Sequence, residues 1–145
     1  VIIKIIRLLM IKGNVLMNQT SLKCTCGAVT VTVADGVECV FSAICHCNNC
    51  RSTTGAPAFW GNGFPIDTVI VTGETINYTQ EVNTRISCVK CGSFIAEPCP
   101  GFGITMLPAA RLANPTAPMM HVFVKDKVYP IPEDGVPQFD EMPPQ

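Results

Sequence analysis

Cysteine placement constrains this chain more than anything else in it. Nine cysteines occur in 145 residues. Seven fall into three tight groups: Cys24-Thr25-Cys26-Gly27, Cys45-His46-Cys47-Asn48-Asn49-Cys50 and Cys88-Val89-Lys90-Cys91-Gly92. A secreted disulfide scaffold announces itself by an even count behind a secretory signal. Here the count is odd, and the first residues lack a clean apolar stretch with a small-residue cleavage site. C-x-C and C-x-x-C spacings in a reduced chain point instead to metal, and a cytoplasmic location is expected. In an extended C-x-C, alternate side chains share a face, so both thiolates reach one ion. A C-x-x-C achieves this by turning tightly, and a following glycine such as Gly92 tolerates the positive φ of such turns. Zinc suits these donors, binding thiolate sulfur at about 2.3 Å with tetrahedral preference.

The remaining composition is that of one globular domain. Apolar residues make up 48% and charged residues 14%, with a net charge of -1. That balance lacks the basic footprint of a nucleic-acid binder, so no nucleic-acid partner is expected. Twelve prolines and eleven glycines argue against long helices. Residues 1–17 read as a leader. Its apolar run is broken by Lys4, Arg7 and Lys12 and falls short of the ~20 residues of a spanning helix, so no membrane partner is expected. A short amphipathic helix is one reading of it; initiation at Met17 is the favoured one. Residues 18–145 then form a single zinc-binding domain.

Short strands between turns run through that domain. Ala28–Val33 alternates valine with threonine, the period of a half-buried strand. Further strands are expected at 39–44, 58–60, 68–72, 75–79, 84–87, 94–97, 104–107 and 120–124. A hairpin is expected around Gly73, where Gly-Glu separates two β-branched runs. No segment sustains helical periodicity for three turns, and the proline-rich tail from Tyr129 reads as irregular chain on the surface. The fold class is mainly β with few or no helices.

Two ligand groupings satisfy the spacing. In the first, Cys24, Cys26, Cys88 and Cys91 close a structural site, and Cys45, Cys47 and Cys50 make a second with one position open. In the second, Cys47 and Cys50 join Cys88 and Cys91, leaving Cys24, Cys26 and Cys45 spare. The first uses all seven clustered cysteines. Three protein ligands plus an exchangeable position is the rule for catalytic zinc. Three thiolates blunt the metal's Lewis acidity, so such a site is better suited to carrying a thiolate than to polarising a carbonyl.

The segments CTCGAVTV, ICHCNNCRSTTGAPAFW, SCVKCGSFI and PMMHVFVKDKVYPIPEDGVPQF occur in that order. Together they resemble the family of glutathione-dependent formaldehyde-activating enzymes, which includes centromere protein V, over about Leu22 to Phe139. The resemblance implies a zinc-stabilised, tent-like all-β fold and the first grouping. That means two zinc ions, one structural on Cys24, Cys26, Cys88 and Cys91, the other on Cys45, Cys47 and Cys50. It also implies a thiol partner such as glutathione and a carbon–sulfur lyase reaction that makes or breaks S-(hydroxymethyl)glutathione. The chain departs from the family pattern at Tyr129, where tryptophan is common, and at Ala110, where glycine is usual.

Several residues carry competing readings. Strand alternation turns His46 away from an ion bound by its neighbours, making it an outer or surface residue rather than a ligand. His121 opens an apolar strand, where a structural histidine is the default and proton handling the alternative. Arg51 is either a contact for a ligand carboxylate or a packing residue. Cys39 and Cys99 are either small buried hydrophobes or a fourth ligand that closes the second site. Phe59 and Trp60 are either core or pocket wall. The rival to an enzyme is a non-catalytic, zinc-stabilised binding module.

Overall fold

The computed structural model describes residues 19–144. The leader lies outside them. Among the described residues ten strands and one α-helix, with short 3-10 turns between them, make up the fold: β1 (Ser21–Lys23), β2 (Thr30–Val33), β3 (Phe41–Cys45), α1 (Asn48–Thr54), β4 (Phe59–Pro65), β5 (Val69–Thr72), β6 (Thr75–Gln80), β7 (Asn83–Cys88), β8 (Phe94–Cys99), β9 (Ile104–Pro108) and β10 (Met120–Val122). The mainly β expectation holds, with α1 the one helix among the described residues.

Two sheets form. The smaller has the order β1-β2-β5, and the larger β10-β3-β4-β9-β8-β7-β6. All neighbours are antiparallel except β10, which pairs with β3 in parallel. Alternation decides what each face carries. In β2, Val31 and Val33 turn inward while Thr30 and Thr32 stay half-exposed. Those valines pack with Leu22, Val29, Phe64, Ile95, Ala96, Leu107 and Leu112 as the core between the sheets. Cys24 and Cys88 belong to the same cluster. The large sheet's other face carries Phe59 of β4 with Ile104 and Met106 of β9, out of phase with core residues Phe64 and Leu107.

The hairpin expected at Gly73 does not form. β5 belongs to the small sheet and β6 to the large one, so Gly73 is where the chain crosses between them. Its φ is +113°, and a Cβ there would lie 2.4 Å from the Ala28 carbonyl oxygen. Only glycine lets the backbone pass that closely. The hairpin lies one element later, where β6 and β7 pair from Thr75↔Cys88 to Gln80↔Asn83 around Glu81 and Val82.

Candidate metal centres and pocket

Two turns meet to build the first cluster. Gly27 N–H donates to the Cys24 carbonyl at 3.0 Å, and Gly92 N–H to that of Cys88 at 2.9 Å. Cys24-Thr25-Cys26 is thus a turn, not the extended pair the spacing invites. Each turn delivers two thiols to one point, and the Thr25 and Ser93 hydroxyls, 2.8 Å apart, join the turns. The four Sγ atoms of Cys24, Cys26, Cys88 and Cys91 lie within 4.8 Å of one another. Cys24–Cys26 measures 3.5 Å and Cys26–Cys88 3.7 Å. A tetrahedron with metal–sulfur bonds of about 2.3 Å has edges of about 3.8 Å, so the donor set fits a zinc-sized ion. Hydrogen bonds from the Ser93 hydroxyl and backbone hold Cys91 down at about 5, which favours the thiolate a metal requires.

The second cluster comes from one local bend. Cys45 ends β3, Cys47 caps α1, and Cys50 lies one turn into that helix. Their Sγ atoms also fall within 4.8 Å of one another. Cys47 Sγ accepts the Cys50 N–H at 3.4 Å. Donation from the neighbouring thiols of Cys45 and Cys50 holds Cys47 down at about 2, while Cys47 pushes Cys45 up to about 12. Cys50 is raised too, first by Cys45 and then by Cys47. One negative charge is thus concentrated on Cys47, a donor set that a divalent cation suits. The grouping that spends all seven clustered cysteines is the one the fold brings together.

A cavity of ≈ 510 Å³ opens beside this second cluster. Cys45, Cys47 and Cys50 share its wall with Phe41, Phe59, Met106 and Phe123. Gly61 makes room for that wall, because a Cβ there would lie 2.4 Å from Met106 Cε and 2.8 Å from the Phe59 ring. Among the described residues Glu97 is the one carboxylate of the lining. Burial raises its pKa, partly offset by Arg85. Asn83, with a buried and unpartnered Oδ1, lines the same space. Sequence reasoning passed over Glu97. Its signal was a lone acid in the otherwise apolar strand FIAEPC.

Among the described residues neither Cys39 nor Cys99 joins a cluster. Cys39 Sγ donates to the Phe41 carbonyl at 3.2 Å, and Cys99 Sγ to that of Glu97 at 3.4 Å. Cys99 lines the cavity as a wall residue, its thiol pushed up to about 12 by burial and by Glu97. Arg51 lies outside the cavity lining. Its Nη1 donates to the backbone carbonyls of His46 and, at 2.6 Å, Asp126, clasping the bend from behind. His46 is buried, not on the surface, and points to His121 rather than to the thiols. Burial, then His121, lowers its pKa and favours a neutral ring. Phe59 is both buried and part of the wall, and stands edge-on to Phe94 at 5.7 Å. Trp60 donates from Nε1 to Ser42 Oγ at 3.2 Å. Tyr129 is exposed and apart from the cavity.

Two packed sheets, a core-linked set of four thiols and a cavity-lining set of three define a mainly β domain with two candidate metal centres. Residues 19–126 match the family model described as glutathione-dependent formaldehyde-activating enzyme, and the chain belongs to that family. A crystal structure of a Rhodobacter sphaeroides protein, a Northeast Structural Genomics target, has the same fold. Its TM-score is 0.53 at 17% identity, over 81% of this chain and 98% of that one. No curated protein matches the sequence. No helix among the described residues is long and apolar enough to cross a membrane.

Proposed function

We propose that the protein is a zinc enzyme of carbon–sulfur chemistry, joining a thiol such as glutathione to formaldehyde or releasing it from the adduct. The observation that carries this reading is the opening of the three-cysteine cluster into a cavity of ≈ 510 Å³. The four-cysteine cluster, tied into the core, is the structural partner. Three thiolates leave one position of a tetrahedral ion for an outside ligand, and zinc bound there supplies a place where a thiol is held as thiolate near neutral pH.

The chain's own residues do the rest. Phe41, Phe59, Met106 and Phe123 keep the cavity apolar, which excludes water from the reacting pair. A space of this size falls within the range of small-ligand sites and holds thiol and aldehyde together, so that proximity lowers the barrier. Glu97 takes the proton that the thiol gives up. Sulfur then bonds to the aldehyde carbon, the carbonyl π pair moves to oxygen, and that oxygen receives the proton back from Glu97. The reverse sequence releases formaldehyde. Burial fits Glu97 for the task, because a raised pKa lets it hold the proton in transit.

The test is exchange NMR of S-(hydroxymethyl)glutathione formation, with zinc content measured on the same protein. The wild type should carry two zinc ions and accelerate the exchange. Glu97→Gln should keep both ions while losing about 100-fold in rate. Two ions with no acceleration would leave a binding module, and one ion would remove the site altogether.

A further inference from the structure

The residue between two of the three clustered cysteines is tied to the far end of the chain. His46 Nε2 lies 3.0 Å from His121 Nδ1, and His121 Nε2 lies 2.9 Å from Asp134 Oδ2. The two rings stack with centroids 5.3 Å apart, both histidines being almost wholly buried. Asp134 belongs to the tail beyond β10, where its other oxygen accepts the Val136 N–H at 3.0 Å. The tail lies along β10. His121 N–H donates to the Pro137 carbonyl at 2.8 Å, Phe139 N–H to that of His121 at 2.9 Å, and Val124 N–H to that of Phe139 at 3.0 Å. Met142, further on, reaches the cavity wall.

The polarity of this relay follows from its outer end. Hydrogen bonds from His121 and the Val136 N–H hold the Asp134 carboxyl below its ordinary range, so near neutral pH it only accepts. His121 Nε2 therefore donates to Asp134, and in the Nε2–H tautomer of the ring Nδ1 accepts from His46 Nε2. The His46 backbone is fixed as well: its N–H donates to the Val122 carbonyl at 3.0 Å, and its carbonyl accepts from Arg51 Nη1. The peptide that spaces Cys45 from Cys47 is thus pinned through side chain and backbone.

We propose that Asp134, His121 and His46 are positioning residues through which the C-terminal tail sets the geometry, and hence the metal affinity, of the three-cysteine cluster. The inference rests on reading that cluster as a metal site and extends it by making the tail part of the site. A tripod held in place before binding loses less freedom when the ion arrives. Hydrogen-bonded groups just outside a ligand set commonly change metal affinity by 10–100-fold.

Asp134 is the residue to change, because its side chain is a third exposed and its removal leaves no buried hole. In the full chain, Asp134→Ala should weaken zinc at one of the two sites by about 10–100-fold, read by competition with a chromophoric chelator. The four-cysteine site should be unaffected. With cobalt substituted for zinc, the visible bands of the weaker ion should shift. Asp134→Asn keeps an acceptor for His121 Nε2 and should recover most of the affinity. Unchanged affinity at both sites in Asp134→Ala would overturn the relay alone, since the wild type would still hold two ions. Equal weakening at both sites would overturn it too, by reducing Asp134 to general support of the fold. One zinc in the wild type would overturn both the site and its relay.

Discussion

The two cysteine clusters share one donor chemistry and differ in how the chain supplies it. Cys24 and Cys26 meet Cys88 and Cys91 from over sixty residues away, with Cys24 and Cys88 built into the core. Cys45, Cys47 and Cys50 come from six consecutive positions and face a cavity. An ion in the first cluster closes a long loop of the unfolded chain and couples the turn after β1 to the turn between β7 and β8. An ion in the second closes almost nothing. Metal energy is folding energy only where the site does not exist in the unfolded state. An ion in the distant cluster would therefore hold the fold, and one in the local cluster could exchange ligands without loosening it.

The largest effect should come from Cys91→Ala. Cys91 is exposed, so the substitution removes a ligand without opening a cavity in the core. A structural zinc in small domains contributes on the order of 10 kcal/mol, comparable to the whole stability of a domain this size. The variant should lose cooperative thermal unfolding by circular dichroism and bind neither ion stably. A native-like melt would break the comparison at its root, because the distant cluster would then not carry the fold.

Cys47→Ala should act the other way. It removes the residue that caps α1 and bears the negative charge of the local cluster. The cap is worth about 1 kcal/mol, so the melting temperature should fall by only a few degrees. Zinc should drop from two ions to one by mass spectrometry, and the thiol–formaldehyde exchange should fall to the uncatalysed rate. Loss of both ions would mean that the two clusters fold as one unit.

Much of this architecture was legible in the chain itself. Strands from β2 to β10 sit where strand-forming runs and turn residues place them, except that β4, expected to end at Trp60, runs on to Pro65. β1 was not legible, being three residues long with Leu22 alone turned inward. α1 escaped because its two turns bury no side chain fully. A Cys47 cap and the left-handed Gly55 define it instead. Gly73 misled for a different reason. A turn residue between β-branched runs marks a reversal, but whether the second strand returns to its own sheet is decided by what packs behind it. The cysteine groups were visible from spacing, whereas Glu97 and Asp134 were not. Glu97 shows only as a lone acid in an apolar strand, which does not reveal the cavity it faces, and Asp134 looks like a solvated acid until β10 brings His121 to it.

Cys99 sharpens the comparison from inside the cavity. It shares the lining with the local cluster yet stays out of it, its thiol bonded to the Glu97 carbonyl. Burial and Glu97 push it up to about 12 from an ordinary value of 9.0. Position rather than ionisation keeps it out, since Cys45 is raised to about 12 as well and its Sγ still meets those of Cys47 and Cys50. The sign of the Cys99 contribution follows from the raised value. Below about 9 the thiol is neutral in folded and unfolded chain alike, and its contribution is complete. As pH climbs from about 9 toward 12 the unfolded chain ionises and the folded chain does not, so that stability drains away. Chemical denaturation of wild type and Cys99→Ala should therefore show a stability gap that is level up to about pH 8.5 and narrows above pH 9. A gap level to pH 10.5 would mean that Cys99 ionises as readily in the fold as outside it.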